Sequence, residues 1–144
     1  MAAPTKLGAS SLDAMLDQIR TTATHLRLVH SYTRADTWAT INTNTCALYV
    51  ISGGDIFNAT YTNDTSGTGD GDAPNRRMEI YAQELAPAIK DNTSGVELCL
   101  LLDDGSEILA VTDETTNREV KINDVITTFV WFVQASQPTQ VAGP

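Results

Sequence analysis

The chain has 144 residues, 42% of them apolar, with 18 acidic against 9 basic side chains and a net charge of −9. That length suits one domain that can bury a core without disulfide or metal staples, and no apolar run reaches the length of a membrane span, so no membrane partner is expected. Nucleic acid is also disfavoured, because phosphate binding relies on clustered Lys and Arg and Arg76-Arg77 is the only adjacent basic pair.

Residues 1–9 read as a flexible N-terminal arm with no secretory signal pattern. A helix is expected over 11–23: Leu12, Met15, Leu16, Ile19 and Ala23 recur at helical spacing, and Ser10 with Asp13 has capping-box spacing. His25–His30 then alternates with a period near two, the mark of a strand. The polar stretch 31–45 reads as a long connection with one helical turn around Ala35–Ala39. Ala47–Ile51 is an apolar strand, and Gly53-Gly54 is expected to turn it into a second strand over Asp55–Thr62.

Asn63–Asn75 has no apolar anchor and reads as an exposed loop, after which Arg76–Leu85 resumes strand character. The clearest hairpin joins Val96–Leu102 to Glu107–Thr112 through Asp103-Asp104-Gly105-Ser106, and a two-residue Asp-Gly turn would pair Leu102 with Glu107 and Leu100 with Leu109. Glu119–Ile122 and Val125–Val133 are the last expected strands, before a polar tail over 134–144. The fold class is therefore mainly β: an antiparallel β-sandwich or barrel-like body over 10–133 with one short N-terminal helix. Val96–Leu102 and Val125–Val133 are apolar on both faces, whereas a sheet with one wet face alternates apolar and polar residues. Both ribbons need cover on two sides, and another subunit is an expected source of it.

No catalytic constellation emerges. His25 and His30 point to opposite faces of a strand and cannot chelate one metal together. Cys46 and Cys99 stand in no CxxC or nucleophile context and read as buried, reduced thiols. Asp103, Asp104, Glu107, Asp113, Glu114 and Glu119 fit solvated turns better than a paired-carboxylate site. The loop with Asp64, Asp70 and Asp72 lacks EF-hand spacing for calcium. The sequons at Asn58, Asn63 and Asn92 read as chance matches in a Thr-rich chain. Neither enzyme activity, a cofactor nor a metal is expected.

Leu12-Asp13-Ala14-Met15-Leu16-Asp17-Gln18-Ile19 followed by Ala23-Thr24-His25-Leu26-Arg27-Leu28 resembles a group of small tailed-phage virion proteins. These begin with a Leu-Asp-x-x-Leu-Asp-x-Ile helix and an Ala-Thr-x-Leu-x-Leu strand. The Thr- and Ala-rich Tyr32–Ile41 stretch and the Leu100-Leu101-Leu102-Asp103-Asp104 turn fit the same layout. The resemblance implies a virion structural protein of the capsid decoration or cement type. It would be made in the host cytoplasm and seated on the outer capsid surface, where it would stabilise neighbouring capsomers by non-covalent contacts. Its partners would be the major capsid protein and further copies of itself, commonly as a homotrimer.

On that expectation Phe129, Trp131 and Phe132 are subunit-interface residues, and Pro4, Lys6 and Leu7 belong to a capsid-binding arm. The alternative is a carbohydrate- or receptor-binding β-sandwich on a virion or tail, with Tyr32, Trp38, Tyr61 and the Asp/Gly loop making the contacts.

Overall fold

A computed structural model describes residues 7–64, 74–114 and 117–137. The chain is mainly β, with two antiparallel sheets and an N-terminal helix, and neither sheet closes into a barrel. The backbone groups into two compact units. The first comprises the chain up to Arg20, Phe57–Tyr81 and Val130 onward, and the second comprises Thr21–Ile56 and Ala82–Phe129.

The second unit is built around β1 (His25–His30), α2 (Trp38–Thr43), β2 (Thr45–Val50), β5 (Leu98–Asp103) and β6 (Ile108–Glu114), in sheet order β2-β1-β5-β6. The expected two-sided burial of the hairpin's first strand holds: every residue of β5 is buried. Leu98, Leu100 and Leu102 stand opposite His30, Leu28 and Leu26 of β1, on one face. On the other face Cys99 and Leu101 join Val29 and Ile41 in a core cluster, against which Tyr32, Trp38 and Ile108 pack. α2 starts where Thr37 accepts a hydrogen bond from the Thr40 N–H, an N-cap that satisfies one orphan donor of the first turn.

The hairpin register departs from the two-residue expectation. Leu102 pairs with Ala110, Leu100 with Thr112 and Leu98 with Glu114, with a register shift beside Asp103. The Asp104 carboxylate accepts the N–H groups of Ser106 and Glu107, and Gly105 supplies a φ of 94°. This side-chain turn lengthens the loop over Asp104–Glu107 and moves the partner strand two residues along, and the register shift beside Asp103 adds a third.

The expected strands Glu119–Ile122 and Val125–Val133 form no continuous ladder. Leu85 and Ala88 donate to the carbonyls of Ile126 and Asp124, while Ala86 and Ile89 donate to Leu48 and Cys46 of β2. Segment 85–89 thus lies between β2 and 124–126. Pro87, in its middle, has no N–H, so the pairing stays at isolated bridges.

The first unit holds α1 (Ala9–Thr22) as far as Arg20, with β3 (Thr62–Asp64), β4 (Asn75–Ile80) and β7 (Trp131–Ala135) in sheet order β3-β4-β7. Leu12 and Leu16, one turn apart on α1, are its fully buried side chains. The helix begins at Ala9 instead of residue 11, and Leu7 exchanges two hydrogen bonds with the Gln137 side chain. The strand expected over Asp55–Thr62 shrinks to Thr62–Asp64, because Asn58 turns its own chain by accepting the Thr60 N–H. The arm residues Pro4 and Lys6, the loop carboxylates Asp70 and Asp72, and the tail beyond residue 137 lie outside the described residues.

Replacing Leu100, which is fully buried, with alanine should destabilise the protein by about 2–5 kcal/mol in urea unfolding. Val125→Ala, at an exposed position, should change stability by no more than about 0.5 kcal/mol.

Candidate interaction surface

The titratable side chains singled out in the sequence are tied into local structure. His25 and His30 sit at opposite ends of β1, opposite Asp103 and Leu98. The His25 Nδ1 lies 2.8 Å from the Thr24 hydroxyl and 3.5 Å from Asp103, whereas the His30 Nε2 is buried without a hydrogen bond. Asp103 is wholly buried and accepts from the Arg27 Nε at 2.7 Å. The same guanidinium reaches Asn42 at 3.2 Å and Thr45 at 3.4 Å, and stacks over the Trp38 ring at 5.1 Å. Glu114 pairs with Arg118, and Glu119 with Lys121. Asp104 is held below the ordinary carboxylate range by the backbone N–H groups of Ser106 and Glu107.

Cys46 and Cys99 are free and buried. The Cys99 Sγ lies 3.6 Å from Asp113 and 3.8 Å from Glu97, and these three side chains have the spacing of a metal-ligand set. Burial, with the two carboxylates beside it, pushes the thiol up to about 12. That is the reverse of an activated thiolate.

The three aromatics of the carbohydrate reading are divided between the two units. Tyr32 and Trp38 pack against the core cluster of the second unit. Tyr61 belongs to the first unit, where its hydroxyl donates to Asp17 and accepts from the Arg20 Nε at 2.9 Å. Of the sequons, Asn92 is buried and donates to the carbonyls of Val96 and Arg118, so it offers no accessible amide.

Large apolar side chains are exposed at Met15, Val50, Ile89, Ile122 and Val125, and a further open pair lies at β7. Its burial alternates: Trp131 and Ala135 are buried, Val133 is half-buried, and Phe132 and Gln134 are exposed. Phe132 is 43% exposed and Val130, two residues before it on the same face, 48%. Arg77 on β4 stacks over the Phe132 ring at 4.2 Å from its centroid. Gln134 donates to Asp64 at 2.6 Å. Of the residues expected at an interface, Phe132 faces solvent, Trp131 is 5% exposed, and Phe129 is half-buried in the second unit.

Sequence reasoning missed the polar contacts that hold α1 in the first unit. Arg76 binds Asp13 through two nitrogens, at 2.8 and 3.1 Å, and Asp17 is shared by Tyr61 and Arg20. The available signal was Asp13 and Asp17, one turn apart on the same helix. Arg76 and Tyr61 lie more than forty residues from these carboxylates in sequence, beyond any spacing rule, whereas Arg20 follows Asp17 by three residues on the same helix.

No protein-family model, curated protein or solved structure matches this chain.

Two outcomes follow from the buried groups. Arg27→Ala leaves Asp103 buried without its cation and should cost about 3–5 kcal/mol, measured by urea unfolding. The folded protein should resist iodoacetamide at both thiols, and denatured protein should take up two adducts, read by mass spectrometry. An unfolded thiol titrates near ~8.5 and Cys99 at about 12, so between these values the folded state keeps a proton that the unfolded state releases. Stability should therefore fall as pH rises through that window, and Cys99→Ala should flatten the decline.

Proposed function

We propose that this chain is a virion structural protein, a decoration or cement protein on the outer surface of a tailed-phage capsid. It ties neighbouring capsomers together by non-covalent contact, with the major capsid protein and further copies of itself as partners. The observation that carries this reading is the apolar pair formed by Val130, just before β7, and Phe132 on it, which is exposed in a chain of net charge −9. Neighbouring apolar side chains on one strand face suit contact with another protein surface. The likeness of α1 and β1 to the opening of small virion proteins supplies the class of assembly.

The histidines, thiols and carboxylates described above support a role in contact rather than chemistry. Asp103, Asp104, Glu114 and Glu119 hold turns or ion pairs, and Cys99 keeps its proton. Sugar stacking at Trp38 would have to displace Arg27 from its ring, and at Tyr61 would meet a hydroxyl already bound on two sides.

Mixing the purified protein with empty shells and sedimenting them should bring it down with the shells. Deleting residues 1–6 should weaken that binding by about tenfold or more through lost avidity, with the melting temperature unchanged. Equal binding with and without those residues would remove the arm from the contact. No sedimentation with shells at all would overturn the capsid reading.

A further inference from the structure

Two sheets present four edges, and they are not equivalent. The outer edge of β2 is covered by segment 85–89, which donates to it from Ala86 and Ile89. β6 carries the register shift at its Ile108 end and Asp113 and Glu114 at the other. β3 is three residues long and ends on Asp64. β7 is regular over all five residues, and among the described residues its outer edge is bonded to no strand. It also carries no charge: the last charged side chain in the sequence is Asp124, so residues 125–144 are wholly neutral.

Edge strands are ready templates for pairing, and proteins ordinarily guard them with charge, proline, bulges or brevity. β7 has none of these guards. In a molecule of net charge −9, like-charge repulsion opposes the approach of two copies almost everywhere. A neutral edge is where that repulsion is least.

We infer that β7 pairs antiparallel with β7 of a second copy about a two-fold axis at Val133, joining two three-stranded sheets into one of six strands. This names the self-contact that the proposed function invokes, and it rests on that reading only for its setting. The register comes from the strand itself. Opposed residues must share a face, and centring on Val133 is the choice that overlaps all five residues. Trp131 then opposes Ala135 of the second copy, large against small on the buried face. Phe132 opposes Gln134 on the exposed face, and Val133 meets its own counterpart. Arg77 and Glu79, beside Gln134 and Phe132 on β4, fall in alternate rows. Each row across the seam therefore holds one acid from one copy and one base from the other, with no like pair facing. A two-fold contact closes as a pair, so the backbone favours a dimer over the three-fold ring that the family likeness implies.

Light scattering should return twice the 15.5 kDa chain mass. Val133→Cys should cross-link to a covalent dimer under mild oxidation, since directly opposed Cα atoms lie within disulfide reach. Ser136→Cys, whose counterpart would be roughly 20 Å away, should not. Two exposed positions guard against a folding failure. The double variant F132E/Q134E sets carboxylates against each other and should run as a monomer with its far-UV circular dichroism unchanged, whereas F132K/Q134E sets opposite charges together and should remain a dimer. A mass of one chain or of three, or a dimer that survives F132E/Q134E, would overturn the β7 contact. Shell sedimentation of the same samples reads the capsid proposal separately, so either can fail alone.

Discussion

The second unit depends on one strand that has no wet face. Six consecutive buried residues, Leu98–Asp103, run between β1 and β6, so each of their backbone groups and side chains must find a partner inside the protein. Five of the six meet that requirement with apolar or thiol side chains. The sixth, Asp103, brings a carboxylate into a fully buried position, and a lone charge there would be intolerable. Arg27, in the middle of an otherwise leucine-rich strand, answers it at 2.7 Å. The guanidinium then draws Asn42, Thr45 and the Trp38 ring around its remaining donors and its face. In this way a single ion pair orients α2, the start of β2 and the end of β5.

That arrangement explains which parts of the fold were legible in the sequence. α1, β1 and β5 announce themselves through apolar spacing, because their burial pattern is the pattern of the residues themselves. The turn after β5 misled, since Asp103-Asp104-Gly105 permits two outcomes. Asp-Gly alone favours the tight two-residue turn, but Asp103 is committed to Arg27 and Asp104 captures the next amides with its own side chain. The competition is decided by a partner 76 residues away, which local spacing does not reveal. Val125–Val133 misled for a related reason. Its neighbour across the bridges contains Pro87, and a ladder needs two competent strands. Of the three residues expected at an interface, Phe129, Trp131 and Phe132, alternation along β7 leaves Phe132 exposed and turns Trp131 to the buried side.

Charge is spent unevenly along the chain. Much of it is spent in pairs: Arg20 on Asp17, Arg118 on Glu114 and Lys121 on Glu119 within the local chain, and Arg76 on the distant Asp13. At exposed positions such pairs contribute little stability, about 0–1 kcal/mol each. Their geometric effect in the first unit is larger. Arg76 holds Asp13 with two bonds and also reaches Asn63 and the Tyr61 carbonyl, so one side chain ties helix α1 to both β4 and the approach to β3.

The excess acid then sets what the surface can do. A chain with twice as many acids as bases repels its own kind, and that repulsion is least where charge is missing. The sequence withholds charge from two long stretches: 37–54, whose strand β2 has its outer edge covered by segment 85–89, and the one that begins after Asp124 and contains β7. On that strand the neighbouring cation, Arg77, lies flat on Phe132 instead of projecting past it. Stacked there, it keeps its hydration on one side while the ring keeps an exposed edge, so this surface stays both soluble and adhesive. A strand meant only to close the sheet would be better served by a lysine in place of Phe132, as edge strands commonly carry. An exposed phenylalanine held under an arginine is harder to account for unless the surface is covered in use.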